Sequence, residues 1–321
     1  MSLDHIKHRD LVQFAEERVN LPQDKANEYR AQARRLRDKL EGYVGEHPDF
    51  TLRKMILSGS LAKGTALRSL NDIDIACYIS GADAPSDVSK LMDYLKARLE
   101  NAFPNFKPDQ IARNTYSVTV TFRSTELDVD VVPILYDGDE DWFGNLVSQD
   151  DGSFLLTNIP RHLEFIKNRK NKAEDFTQVV RLTKAWAQRA KEIKGSEFRF
   201  KSFMIEMIYS KLCDDGLAFS DYPEVLQHFF DYILTTGLRE QISFSDYYSK
   251  KEIPNFTDEV KIVDPVNAKN NVAKLYTTSN VRAILDAAEE ASDAIEYARR
   301  ATTKQETVRA WQKVFGTQFQ F

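Results

Sequence analysis

The spacing of apolar residues changes along the chain, and each change marks an element. Between residues 11 and 44 the apolar positions recur every three or four. Ala26, Tyr29, Ala33, Leu36, Leu40 and Val44 form one narrow stripe on an otherwise charged surface, which predicts a helical region broken or bent near Pro22. Leu52–Leu57 reads as a short strand leading into a glycine–serine turn, residues 62–67 as a short helix, and Asp72–Ile79 as a strand. Residues 85–103 carry Val88, Leu91, Leu95 and Leu99 on one helical face, and 117–122 and 126–135 alternate or run apolar as buried strands do. Beyond residue 154 the period stays helical, over 161–168, 176–193, 202–212, 222–235, 280–301 and 304–315. The pattern predicts an α+β, bilobal protein: a sheet-based lobe over 1–153 and a helical lobe over 154–321, divided in the loop 137–153. No internal repeat interrupts it.

Composition narrows the partners. At 321 residues and 42% hydrophobic, the chain can bury a large core, and its net charge of −5 argues against a broad cationic surface that lives on nucleic acid. Constitutive nucleic-acid binding is therefore not expected. Two cysteines, Cys77 and Cys213, provide neither a disulfide framework nor a cysteine zinc site, and a reduced cytoplasm fits them. No apolar run is long enough for a signal peptide or a membrane span, so no membrane partner is expected. Charge is uneven, however: residues 161–201 hold twelve Lys/Arg against five Asp/Glu, a local net of +7 that would draw triphosphates. The histidines show no patterned ligand set; His5 and His8 have helix-compatible spacing near the start of the chain.

The chemistry concentrates in LSGSLAKGTALRSLNDIDIACYIS. Residues i and i+2 of a strand share a face, so Asp72 and Asp74 hold two carboxylates side by side, spaced to grip a divalent metal. Upstream, Gly59, Ser60, Gly64 and Thr65 form a turn where backbone can approach a phosphate closely. A Walker A loop is not present, because Lys63 precedes Gly64 instead of following it. Two-metal phosphoryl chemistry needs a further carboxylate on a neighbouring strand. LDVDVVP offers Asp130, just before the apolar VVP, with Asp128 as its rival on the same face.

Together, G-S-x-x-x-G-T, D-x-D and D-V-V-P resemble the DNA polymerase β-like nucleotidyltransferases. The segments VVRLTKAWAQ, KSFMIEMIY, VDPVNAKNNVAK and the terminal AWQKVFGTQF are similar to those of the cGAS/DncV-like nucleotidyltransferases, the CD-NTases of bacterial anti-phage defence. The resemblance covers residue 52 to the end of the chain. It departs at Asn71, where a serine often precedes D-x-D, and in DPVNAKNN, which lacks the second acidic residue of the oligoadenylate synthetase form.

The resemblance implies roles. Asp72, Asp74 and Asp130 would be the metal ligands and catalytic carboxylates, holding two Mg²⁺ ions for which Mn²⁺ can substitute. Gly59 and Ser60 would hold the triphosphate, Lys184 and Ser202 would reach its β- and γ-phosphates, and Phe203 would stack on a base. Asn158, an amide just before the first helix of the second lobe, is a candidate reader of a base edge. The implied activity is synthesis of a cyclic di- or trinucleotide second messenger from NTPs with release of pyrophosphate. A regulatory protein and a downstream cyclic-nucleotide-sensing effector are the implied partners. The alternatives are a template-independent enzyme that tails RNA or modifies a small molecule or protein, and a silent nucleotide-binding regulator.

Overall fold

The computed structural model describes residues 5–47, 51–70, 72–80, 87–147 and 152–321. Pro22 breaks the first helical region as predicted: α1 (His8–Phe14) runs into a π-helical turn at Ala15–Val19, and α2 (Gln23–Glu46) starts directly after the proline. A proline at a helix start loses no intrahelical bond, because its N–H would have had no partner there.

Contacts divide the chain into two units, Leu21–Glu164 and Met1–Asn20 together with Phe165–Phe321. The division at 164/165 falls inside helix α5 (Ile159–Lys172), not in the loop 137–153, part of which lies outside the described residues.

Among the described residues of the first unit, seven strands make one sheet. These are β1 (Leu52–Leu57), β2 (Asp72–Ile79), β3 (Ile111–Arg113), β4 (Val118–Phe122), β5 (Leu127–Leu135), β6 (Gly144–Val147) and β7 (Phe154–Thr157). The order is β1-β2-β5-β4-β3, with β6 pairing the end of β5 and β7 pairing β6. Strands β3, β6 and β7 have three or four residues each, too few for a period to show in the sequence. Among the described strands of this sheet, only β2 and β5 pair in parallel, which requires a crossover. That connection carries α4 (Val88–Ala102), capped by Asp87 accepting from Lys90 N at 2.9 Å; the predicted start at residue 85 lies outside the described residues. The short helix predicted at 62–67 forms earlier, as α3 (Gly59–Lys63), and Gly64 at φ +74° ends it.

The pleat sorts β2 and β5 by parity. Odd-numbered Ile73, Ile75, Cys77, Ile79, Leu127, Val129 and Val131 bury in one core with Leu36 and Leu40 of α2 and Leu95 and Leu99 of α4. Each such aliphatic side chain contributes about 1.5–3 kcal/mol. Even-numbered positions take the opposite face. At its far end Ala76, Tyr78 and Ile134 are covered by Tyr136, Trp142, Leu146 and Ile159, with Trp142 stacked on Tyr136 at 4.9 Å.

The second unit is built on α6 (Phe176–Lys194), α7 (Ser202–Asp214), α8 (Tyr222–Thr236), the β8 (Val263–Asp264)–β9 (Asn267–Asn271) hairpin, α9 (Thr278–Arg300) and α10 (Lys304–Phe315). Residues 5–20 belong with it because α1 packs on α8 and the π-helical turn on α6. In VDPVNAKNNVAK the polar side chains fold the hairpin on itself. Asp264 accepts from Val266 N at 2.9 Å and from Asn270 Nδ2 at 3.1 Å, while Asn271 Oδ1 accepts from Ile262 N at 2.9 Å.

Arg169 is buried, with its guanidinium bonded to Asp246 at 2.5 and 2.8 Å and to Asp214 at 2.5 Å, over the Phe165 ring. Burial lowers its pKa, but the bonds and charges of the two aspartates outweigh that and leave it raised. Removing one partner of a buried pair leaves the others uncompensated. Such a loss costs about 3–5 kcal/mol, and Arg169→Ala should fall near the lower figure because both aspartates keep some solvent contact. Urea unfolding measures the loss.

Candidate active site

Parity and register together build the site. The parallel pairing sets Asp72 opposite Asp128 and Asp74 opposite Asp130, so four carboxylates occupy one end of the even-numbered face. Asp72 and Asp74 are exposed, while Asp128 and Asp130 are half-buried. The pairing brings Asp130 beside Asp74 and keeps Asp128 beside Asp72, so register alone does not separate the two candidates.

The glycine–serine turn meets this row. Ser58 N donates to Asp74 O at 2.8 Å, which fixes the turn against β2, and Thr65 N closes α3 on Ser60 O at 2.9 Å. Gly59 sits at φ +63°, and a Cβ there would lie 1.9 Å from Asp74 Oδ2 and 2.9 Å from its Cγ. Glycine is required twice over: by backbone conformation, and by the carboxylate packed where a side chain would be.

Like charges gathered at one end of a sheet resist ionisation. Asp72 is exposed as a residue, but its neighbours partly desolvate the carboxyl; that partial burial, then the charge of Asp130, push it above its ordinary value, while a backbone hydrogen bond opposes this and Asp128 adds to it. Two hydroxyls on β4 answer the row from the other side. Thr119 Oγ1 donates to Asp130 Oδ1, and Thr121 Oγ1 donates to Asp128 Oδ1 at 2.6 Å. Sequence reasoning alone misses these threonines. Their signal is VTVTF, whose hydroxyls alternate with the same period of two as the aspartates they face.

Among the described residues, no three Asp, Glu, His or Cys side chains converge on one point as a finished metal cage. The donor set nevertheless fits a hard divalent cation: oxygen ligands on one face, a carboxyl whose ionisation is opposed by its neighbours, and a Cβ-free cradle beside Asp74.

The remaining predicted residues belong to other elements. Lys184 is buried on α6; Ser202 and Phe203 begin α7, one exposed and the other half-buried, all in the unit that holds Phe165–Phe321. Asn158 is fully buried. Its Nδ2 donates to Asp141 O at 2.6 Å and its Oδ1 accepts from Arg161 N at 3.0 Å, capping α5 and tying the 137–143 loop to it. The amide that could have read a base edge thus has both ends engaged in structure. Asn158→Ala should cost about 1 kcal/mol, typical of a lost helix cap, and leave the nucleotide composition of the product unchanged; thermal melts and mass spectrometry measure the two effects. The departure at Asn71 lies outside the described residues.

The model of the Second Messenger Oligonucleotide or Dinucleotide Synthetase domain matches residues 6–171. The chain belongs to this synthetase family. It is similar to the cyclic AMP-AMP-AMP synthase of Escherichia coli strain MS 115-1, with 60% identity over 321 residues and 100% of both chains covered. It is also similar to the CBASS oligonucleotide cyclase CdnC of Escherichia coli strain KTE188, at 29% identity over 94% of this chain and 93% of the relative. Among solved structures, Escherichia coli MS115-1 CdnC with ATP superimposes with a TM-score of 0.95 at 60% identity, covering 99% of this chain and 100% of that one. Vibrio cholerae DncV in its apo form superimposes at 0.68 with 15% identity, covering 98% of this chain and 96% of that one, a likeness of fold alone. The expected α+β architecture, a sheet with many helices, holds, as does the expected activity: this synthetase makes cyclic oligonucleotide messengers in anti-phage defence. Nucleotidyltransferases of this type generally use divalent metals. Among the described residues, no helix is long and apolar enough to cross a membrane.

Proposed function

We propose that this synthetase joins three ATP molecules into cyclic AMP-AMP-AMP in a metal-dependent reaction. The observation that carries the chemistry is the β2–β5 register, which lines up Asp72, Asp74, Asp128 and Asp130 beside the Gly59 turn. The choice of product rests on the 60% identical relative of that activity, matched along its full length.

Asp72, Asp74 and Asp130 would hold Mg²⁺, two ions per site with Mn²⁺ able to substitute, and the cation would supply neutralisation of charge on the α-phosphoryl group and on departing pyrophosphate. Gly59 and Ser60 bring backbone against the triphosphate. Lys184 and Ser202 bind its outer phosphates, the lysine as a point charge, and Phe203 offers a ring for base stacking. Thr119 donates to Asp130 Oδ1, and Oδ2 would receive the proton of the acceptor ribose hydroxyl. The hydroxyl oxygen attacks the donor α-phosphorus, the α–β phosphoanhydride bond breaks, and pyrophosphate leaves. Two such transfers make a linear trinucleotide; in the third, its terminal hydroxyl attacks its own 5′-triphosphate and closes the ring. Three ATP thus give one ring and three pyrophosphates.

The enzyme works in the cytoplasm under a regulatory protein and feeds a cyclic-nucleotide-sensing effector. Support for the regulator is the Escherichia coli MS115-1 CdnC:HORMA-deltaN complex, whose chain is 59% identical to this one. Labelled ATP, Mg²⁺ and the purified chain, with and without a HORMA-domain protein, test the proposal by chromatography and mass spectrometry. A phosphatase-resistant ring of three adenylates is expected. Product that grows only on an added RNA or protein acceptor would reject it.

A further inference from the structure

The two hydroxyl–carboxylate bonds on β4 differ in one respect. Thr119 and Thr121 face Asp130 and Asp128 in register, and each donates to its aspartate. Thr119 Oγ1 also accepts a hydrogen bond, from Asn114 Nδ2 at 2.7 Å. Asn114 is fixed in turn by the β3–β4 turn it closes: its N donates to Ser117 O at 2.9 Å and its Nδ2 to Ser117 Oγ at 3.1 Å.

A threonine hydroxyl has one proton. With an amide N–H pointed at its oxygen, that proton must go to the other neighbour, the Asp130 carboxylate. The direction of the chain is fixed from both ends, since an ionised carboxylate can only accept and the amide nitrogen can only donate. Thr119 alone could rotate its hydroxyl elsewhere. Thr119 backed by Asn114 is a donor aimed at Asp130 Oδ1.

We propose that Asn114 and Thr119 form a positioning relay that orients Asp130, presenting Oδ2 toward the metal and the acceptor hydroxyl. The relay assigns work to a hairpin turn that itself carries no catalytic residue. It also distinguishes Asp130 from Asp128, which register leaves equivalent. The inference rests on the reading of Asp130 as a metal ligand and proton acceptor, and its test separates the two.

Mn²⁺ binding to the full chain, followed by electron paramagnetic resonance without nucleotide, gives a readout independent of turnover; steady-state synthesis from ATP gives kcat and KM. Thr119→Val keeps the shape and β-propensity of the side chain and removes the donor. It should weaken Mn²⁺ binding by about 10- to 100-fold, the usual effect of losing a partner that orients a ligand, and lower kcat with little change in the KM for ATP. Thr119→Ser should restore both. Asn114→Ala, at an exposed turn, should shift both in the same direction by less, since the hydroxyl remains but is no longer aimed. Unchanged Mn²⁺ affinity and kcat in Thr119→Val would overturn the relay, as would a loss that Thr119→Ser does not rescue. Asp130→Asn settles the underlying reading: if it binds Mn²⁺ as tightly as wild type, the ligand assignment fails, whereas a loss in Asp130→Asn without one in Thr119→Val removes only the relay.

Discussion

Asp74→Asn should lower synthesis of cyclic product by more than about 100-fold, because even groups that only orient a metal ligand change activity by about 10- to 100-fold. Asp72→Asn and Asp130→Asn should do the same. What sets these variants apart from ordinary loss-of-function changes is their stability. The Asp72 carboxyl is pushed up by burial and by Asp130, so the folded state favours its protonated form. Stability linked to that proton is full below the ordinary carboxylate range and is lost as pH rises through the elevated folded value. At neutral pH with chelator present, Asp72→Asn should therefore melt above wild type, and the gap should close as the buffer is acidified. Adding Mg²⁺ or Mn²⁺ should raise the wild-type melting temperature and leave Asp72→Asn nearly unmoved. Thermal melts across pH, with and without cation, measure all three effects; a variant less stable than wild type at neutral pH would contradict the crowding of charge on this face.

Gly59→Ala should be the second most damaging single change. A non-glycine residue at φ +63° is strained by about 1–3 kcal/mol. The added methyl would also meet Asp74 Oδ2 at 1.9 Å. The carboxylate can escape only by rotating away from the row it belongs to. The protein then either keeps the turn and misplaces Asp74, or keeps Asp74 and distorts the turn; both lower turnover by about 100-fold or more. Urea unfolding gives the strain and synthesis assays the activity. Gly138 makes a useful contrast, since its positive φ of +92° comes with nothing within 4 Å of where a methyl would stand, so alanine there should show strain without the catalytic loss.

The parity of the site was legible in the sequence because strand geometry leaves no choice. Once DIDIACYI and LDVDVVPIL are strands, the isoleucines and valines must face the core and the aspartates the opposite side. Register was not legible, since it depends on a parallel pairing across more than fifty intervening residues. The turn could be read because glycine is the residue such a backbone needs, although its reason, a carboxylate occupying the place of a side chain, emerges only in three dimensions. For Asn158 the sequence shows what an amide can do and not what reaches it: its partner is the carbonyl of Asp141, in a loop seventeen residues earlier. Thr119 escapes notice because alternating threonines are ordinary strand residues until a carboxylate stands opposite. The grouping of the first twenty residues with the helical unit had no local signal, because it depends on packing against α6 and α8, over a hundred and fifty positions downstream.

The parallel β2–β5 pair also sets a timetable for synthesis on the ribosome. β2 emerges early with two of the carboxylates, but its partner strand ends at Leu135, after the crossover helix has been made. Until that length has left the exit tunnel, the nascent polypeptide holds half a row of acids, with β1 on one side of β2 and nothing yet on the other. An incomplete chain released before then lacks two of the four carboxylates that the finished sheet sets in one row.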